Sequence, residues 1–136
     1  MTREPAPDAT AEASTRVVDA DLASAVGLVP SDVFPRVYAT SRLVALMEVA
    51  AARVLSPCLD AGEMSVGVSV DIVHTAATPL GATVTADARY IGRDGKRFVF
   101  EVSARDPAGE VGRGRHVRAV VSADRLVDGA QRRAHA

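Results

Sequence analysis

The sequence predicts an α+β domain in which an antiparallel sheet of about five strands wraps around one long central helix. Two observations favour this fold class. One segment, SRLVALMEVAAARVL, is apolar on nearly all sides and is typical of a buried helix. The segments after it alternate between apolar and polar residues with a period of two, as half-buried strands do.

The composition favours a single soluble domain. The chain has 136 residues, of which 48% are hydrophobic and 24% are charged, and this is enough apolar material for one core. A formal net charge of −1 creates no basic field, so nucleic acid is not an expected partner. No apolar run approaches the ~20 residues that span a bilayer, and the start lacks a basic-then-apolar signal. We therefore expect a cytoplasmic protein without membrane contact.

We expect the domain to span 15–127 between two disordered tails. Residues 1–14 are polar and rich in Pro, Ala and Thr, and 128–136 have no pattern that indicates structure. A first short strand is predicted at 16–20. The stretch 26–38 contains two prolines, each of which removes a backbone donor, so it is predicted to be a loop.

The central helix is predicted to begin at Thr40 or Ser41 and to end before Pro57. Either hydroxyl can cap the first turn by accepting a hydrogen bond from a backbone amide. Ser56-Pro57 stops the helix. Because the helix is apolar almost all round, we expect it to be covered on most sides.

Four strands are predicted after the helix, at 66–74, 82–90, 98–104 and 111–122. Asp94-Gly95 is a strong signal for a two-residue hairpin, and a Pro-Ala-Gly turn follows Asp106. Such short connections favour an antiparallel meander. A sheet curled around a single helix is the hot-dog fold. A lone copy leaves sheet edges and one side of the helix uncovered, so a homodimer is expected.

Two polar residues stand on surfaces that are predicted to be buried. Glu48 lies among Leu, Ala and Val on the helix, about 140° around the axis from Arg53. A carboxylate there is costly unless it is used in chemistry, reaches solvent at the helix edge or pairs with an arginine. His74 continues the inward-facing apolar residues of 66–74, towards the same core. An acid and an imidazole on facing surfaces indicate a site more strongly than either alone.

Other candidates have weaker signals. Thr40 can be a helix cap, or it can bind a carbonyl or an anion at the positive end of the helix. The segment GRGRHVR at 112–118 is either a solvated strand or a phosphate contact. Cys58 lacks a neighbouring base and is expected to be structural. No spacing of His, Cys or acidic residues predicts a metal site.

The middle of the chain contains the segment VYATSRLVALMEVAAARVLSPCLDAGEMSVGVSVDIVHTAATPLG. Its most specific parts are the spacing of Thr40 and Glu48 around the letters LME, and the HTAATP block that begins at His74. The segment strongly resembles the fluoroacetyl-CoA thioesterase family of hot-dog proteins, and the resemblance extends more loosely from about Phe34 to about Leu126. It implies that Thr40, Glu48 and His74 are the catalytic group. It also implies an acyl-CoA substrate and no separate cofactor.

The resemblance also covers residues around the expected substrate. Phe34 and Tyr38 fit the region of an aromatic lid that precedes the catalytic threonine in the fluoroacetyl-specific members. Gly67 is expected to hold the thioester through its backbone. Arg118 is expected to support the site or to contact CoA.

The predicted function is that of an acyl-CoA thioesterase acting on a short acyl group. Ser31 stands three positions before Phe34, and Val49 follows Glu48 where a large aromatic residue is expected. The lid therefore looks thinner, and selectivity for a fluorinated acyl group is not implied. Two alternatives remain open: a hot-dog enoyl-CoA hydratase and a non-catalytic acyl-CoA binding protein.

The spacing within the helix bears on how the site is assembled. Thr40 and Glu48 are separated by roughly 12 Å along a helix, whereas one thioester carbonyl needs contacts within about 3 Å. Either the chain folds back sharply before Ser41, or Thr40 approaches Glu48 and His74 of a second copy. We favour the second arrangement.

Overall fold

The computed structural model describes residues 3–136. Its main elements in chain order are β1 (Thr10–Arg16), α1 (Thr40–Leu55), β2 (Glu63–His74), β3 (Thr83–Asp94), β4 (Arg97–Asp106), β5 (Gly109–Ser122) and α2 (Ala123–Ala134). The strands form one five-stranded antiparallel sheet in the order β1-β3-β4-β5-β2. The predicted α+β class, with five strands and one central helix, is confirmed.

Helix α1 has the predicted start and end, but its first turn lacks the predicted side-chain cap. Its N-cap is Ala39, and no side chain caps the first turn, so the expectation of a Thr40 or Ser41 cap is wrong. A short 3-10 helix, Ser56–Cys58, follows its last residue and contains Pro57, which has no amide hydrogen with which to continue the helix.

The core lies between α1 and the inner face of the sheet. The helix packs mainly over β1 and β3, where the buried strand residues include the small side chains Ala13, Ala86 and Ala88. Small residues allow a helix to approach a sheet closely, and larger ones fill the remaining space. Tyr90 and Phe100 supply that bulk, with ring centroids 5.7 Å apart. The helix therefore covers one half of the sheet more fully than the half formed by β5 and β2.

The predicted meander is correct for three strands and wrong for the fourth. β3, β4 and β5 are consecutive neighbours, and a two-residue turn at Gly95 joins the first pair, because Asp94 pairs with Arg97. β2, however, pairs with β5 and not with β3. The connection 75–82 carries the chain across, and its Thr78 is fully buried and donates a hydrogen bond of 2.7 Å to Asp106. β2 is consequently an edge strand.

A β-bulge divides β2. Gly67 pairs with Arg118 and Ser69 pairs with Val117, so Val68 has no counterpart on β5. Since directly opposed residues project to the same face, the bulge reverses the alternation of the strand. The prediction that all even positions of 66–74 face inward is therefore correct only after the bulge. Before it, the inward position belongs to Gly67.

Both predicted tails contain regular structure. Residues 10–14 belong to β1, which pairs with β3 and buries Ala13. The expectations of disorder there and of a first strand at 16–20 are therefore wrong. Residues 128–134 belong to α2, in which Ser122 caps the start by accepting from the Arg125 amide, so disorder is wrong there too. Met1 and Thr2 of the predicted tail lie outside the described residues.

Across residues 3–136, none of the helices combines the length and the apolar character needed to span a bilayer.

The Thr78–Asp106 hydrogen bond should stabilise the crossing connection. Replacing Thr78 with valine keeps the shape but removes the donor, so the free energy of unfolding should fall by about 1–3 kcal/mol. Urea unfolding would measure this change. Ser14→Ala is the matched control, because Ser14 makes a similar 2.7 Å bond to Thr85 on the exposed surface and should cost less than about 0.5 kcal/mol. Equal effects of the two substitutions would contradict the assignment.

Candidate active site

Thr40 and His74 form a hydrogen-bonded pair at the start of α1. Thr40 Oγ1 lies 2.8 Å from His74 Nδ1, which explains why the hydroxyl does not cap the helix. Within the described residues, the other ring nitrogen, Nε2, is buried and has no hydrogen-bond partner. A buried polar atom without a partner costs about 1–3 kcal/mol. Such an atom is typical of a place where a ligand or another chain completes the bonding.

A cleft of about 390 Å³ opens beside this pair. Pro35, Tyr38, Thr40 and His74 contribute to its lining. Tyr38 is almost fully buried and donates a hydrogen bond of 3.1 Å to the Arg42 carbonyl. Burial, with a smaller contribution from Asp21, raises the pKa of Tyr38 to about 12, so the phenol stays neutral. Tyr38 therefore lines the cleft as a neutral, buried ring, and its part in a lid stays a prediction.

Phe34 lies on the loop before α1 with 48% of its surface exposed. Its contact with a substrate stays a prediction. The exposed ring belongs to a loop that also exposes Leu28 and Val33. This apolar loop borders the cleft through Pro35.

Glu48 and Arg118 form a second group, farther along α1. Arg118 Nη1 donates to Glu48 Oε2 over 3.3 Å. The arginine side chain is buried, whereas 37% of the Glu48 side chain is exposed. Burial lowers the pKa of Arg118, and the neighbouring Glu48 opposes that effect. The carboxylate thus both reaches solvent and pairs with an arginine, as the sequence analysis allowed.

Gly67 supplies the surface against which Glu48 lies. A Cβ atom at this position would stand 2.4 Å from Glu48 Oε2, a separation that real side chains do not tolerate. Gly67 can therefore be only glycine while Glu48 keeps its place. This close approach follows from the bulge, which turns Gly67 to the inner face.

Two further residues of this group, His116 and Ser65, were not predicted. His116 Nε2 lies 3.0 Å from Arg118 Nη1, and its Nδ1 lies 2.9 Å from the Ser69 carbonyl oxygen. Ser65 accepts from Arg118 through both its hydroxyl and its carbonyl, at 3.0 and 2.9 Å. Because His116 and Arg118 both project from it, the inner face of β5 next to Glu48 is polar.

The segment 112–118 is consequently not one basic patch. Arg113 and Arg115 are exposed, whereas His116 and Arg118 are buried on the inner face. Period-two alternation in β5 was the signal that separates the two sets. Arg118 pairs with Glu48, and its expected roles, to support the site or to contact CoA, stay predictions.

Within one chain the two groups lie apart. Thr40 is already helical, so the chain does not fold back between Thr40 and Ser41, and Glu48 is roughly 12 Å farther along the axis. On β2, Gly67 and His74 are separated by roughly 20 Å at the usual rise of a strand. The expectation that His74 joins Thr40 from a second copy is wrong, because both belong to the same chain here.

No group of three His, Cys, Asp or Glu side chains that could hold a metal ion occurs among residues 3–136. Cys58 is buried and free, and its structural role stays a prediction.

Comparison with known proteins identifies the family. The profile of the fluoroacetyl-CoA-specific thioesterase family matches residues 17–124. A fluoroacetyl-CoA thioesterase from Streptantibioticus cattleyicolor is 45% identical over 93 residues, which are 68% of this chain and 67% of the relative.

Solved structures agree with this assignment. The fluoroacetyl-CoA thioesterase FlK has a TM-score of 0.90 at 32% identity, over 96% of this chain and 98% of that chain. A phenylalanine-to-alanine mutant of FlK in complex with fluoroacetate and CoA has a TM-score of 0.84 at 34% identity, over 89% and 98% of the two chains. A thioesterase superfamily member from Thermus thermophilus has a TM-score of 0.87 at 25% identity, over 98% and 96%. These matches confirm the hot-dog fold.

The family match covers both polar groups described above, the Thr40–His74 pair and the Glu48–Arg118 pair. The chain belongs to the fluoroacetyl-CoA-specific thioesterase family.

Proposed function

We propose that this chain hydrolyses short-chain acyl-CoA thioesters to a free acid and CoA, in an active site that two copies of the chain build together. Membership of the family makes the chain a thioester hydrolase. The observation that carries the proposal is the Thr40–His74 pair, whose buried Nε2 atom has no partner among the described residues. The solved FlK complex with fluoroacetate and CoA supports the substrate class.

The chemistry needs a base or nucleophile, an acid and a group that polarises the carbonyl. Glu48 either removes a proton from the water that attacks the carbonyl carbon, or attacks that carbon itself to form an anhydride, which water then hydrolyses to the free acid and regenerated Glu48. In both routes the carbon–sulfur bond breaks and the CoA thiolate takes up a proton, and His74 is the proposed proton donor. Thr40 and the backbone at Gly67 hold the thioester. The half-exposed carboxylate of Glu48 is accessible for either role.

A homodimer would bring the two polar groups together. One carbonyl cannot contact groups that are separated by roughly 12 Å along a helix, so Glu48 of one copy would face Thr40 and His74 of the other. The open edge strand β2 exposes Met64, Val68 and Val70, and Val49 beside Glu48 is exposed as well. An open edge with apolar side chains favours pairing with a second copy.

The acyl group is proposed to be short, with no fixed preference for fluorine. The cleft beside Thr40 is small, and Phe34 and Tyr38 are the aromatic residues proposed to cover it. Ser31 and Val49 are smaller than the aromatic side chains that a tighter lid would need at these positions. We also propose a cytoplasmic location without nucleic acid or membrane partners, which the near-neutral charge and the single Cys58 support.

Thiol release from a panel of acyl-CoA substrates tests the proposed activity directly. Acetyl-, fluoroacetyl-, propionyl- and crotonyl-CoA should be compared, and hydrolysis of the short saturated members is expected. Glu48→Gln should reduce the rate by about 100-fold or more, because it removes the base or nucleophile. The same substitution should lower stability by about 1–3 kcal/mol, since Arg118 loses a charged partner. Hydration of crotonyl-CoA without thiol release, or tight binding alone, would contradict the proposal.

Subunit exchange tests the shared site. Inactive Thr40→Val protein is mixed with inactive Glu48→Gln protein, and a mixed dimer should regain up to half of the normal activity, because one of its sites has both residues intact. The matched control mixes Thr40→Val with His74→Ala protein. Thr40 and His74 belong to the same chain, so this pair should recover nothing. Recovery in the control, or none in the test after exchange is verified by mass, would exclude the proposed assembly.

Gly67→Ala tests whether the observed position of the Glu48 side chain is the reactive one. The added methyl group must displace the carboxylate, so the turnover number should fall by about 100-fold while the fold persists. Ser69→Ala is the control on the same strand, because it adds no atom near Glu48 and should stay near the original rate. Normal turnover in Gly67→Ala protein would show that the observed position of Glu48 is not the reactive one.

A further inference from the structure

We infer that His116 is a positioning residue for this reaction: its neutral imidazole accepts a hydrogen bond from Arg118 and thereby aims the guanidinium at Glu48. The inference rests on the proposed function, in which Glu48 carries out the chemistry. His116 does not touch Glu48 through any hydrogen bond among the described residues. It acts through Arg118.

The hydrogen bonds of His116 define its tautomer. Its Nδ1 lies 2.9 Å from the Ser69 carbonyl oxygen, and a carbonyl can only accept, so Nδ1 carries the hydrogen. Its Nε2 lies 3.0 Å from Arg118 Nη1, and a guanidinium can only donate, so Nε2 carries none. Both partners therefore require the same neutral form.

The surroundings of His116 favour that neutral form. The residue is 1% exposed, and burial lowers the pKa of His116 below its usual value. The positive charge of Arg118 lowers it further, whereas the Ser69 bond and Glu48 act in the opposite direction. Val70 on β2 and Phe100 on β4 stand opposite His116 in the sheet register and add no charge. A bare Nε2 atom is thus available to accept from Arg118.

All three nitrogen atoms of the Arg118 guanidinium donate hydrogen bonds. Nε donates to the Ser65 hydroxyl and Nη2 to the Ser65 carbonyl. The two hydrogens of Nη1 are divided between His116 and Glu48. Because the guanidinium is a rigid plane, fixing the other contacts fixes the direction of the hydrogen that points to Glu48. Without His116, one buried N–H group of Nη1 would lose its acceptor, and the plane would be held from the Ser65 side and by Glu48 alone, which leaves the direction of Nη1 less well defined.

Two conservative substitutions separate the two nitrogens of His116. Glutamine can place its amide oxygen near the position of Nε2 and keep the acceptor for Arg118. Asparagine can place its amide nitrogen near the position of Nδ1 and keep only the bond to Ser69. Both variants are uncharged and polar, so their difference reports on the acceptor.

The experiment compares kcat and KM for thiol release by the original protein, His116→Gln and His116→Asn. We expect His116→Asn to lower kcat by between about 10- and 100-fold with little change in KM, because a small misplacement of a reacting group has this effect. His116→Gln should stay within about threefold of the original kcat. Equal losses in the two variants, or losses in KM alone, would overturn the inference.

A measurement on the original protein keeps the inference testable if either variant fails to fold. Nitrogen-15 NMR of the imidazole should show His116 neutral, with its hydrogen on Nδ1, at the pH of the activity assay. A protonated ring, or a hydrogen on Nε2, would overturn the inference. A protein that shows this tautomer but releases thiol from no acyl-CoA would instead overturn the proposed function.

Discussion

A buried guanidinium needs an anion and oxygen or nitrogen acceptors around it, and Arg118 places this requirement on α1, β2 and β5, which supply its partners. Glu48 supplies the charge from α1, Ser65 supplies two acceptors from β2, and His116 supplies a third from β5. The helix and the far strands of the sheet are therefore fixed relative to each other by one cation. A feature that stabilises the fold also defines where the Glu48 carboxylate lies.

Local patterns in the sequence were sufficient for α1 and for most of the strands. Helix composition and period-two alternation are properties of neighbouring residues, so they can be recognised in the sequence before the fold is known. The partner of β2 could not be inferred, because a crossing connection at 75–82 resembles any other short loop. β1 was placed too late because Ala13 is its single buried residue, so its strand character comes from pairing with β3.

The candidate site was predictable to the extent that polar residues stood out on apolar faces. Glu48 and His74 were found in this way, and Thr40 was retained through the resemblance. His116 was missed because its arginine neighbours made the segment look like a solvated surface. Its burial depends on which face of β5 covers α1, and that is set by pairings far away in the sequence.

The bulge at Val68 divides β2 into two segments of opposite phase. Gly67, against which the Glu48 carboxylate lies, precedes the bulge. His74, which is hydrogen-bonded to Thr40, follows it. The two polar groups of the candidate site thus contact strand segments of opposite phase, so the orientation of each segment about the strand axis is set separately. Gain or loss of one residue at this point would reorient one half and leave the other unchanged. Variation in strand length, and not in side chains alone, is therefore a route by which such proteins can diverge in activity.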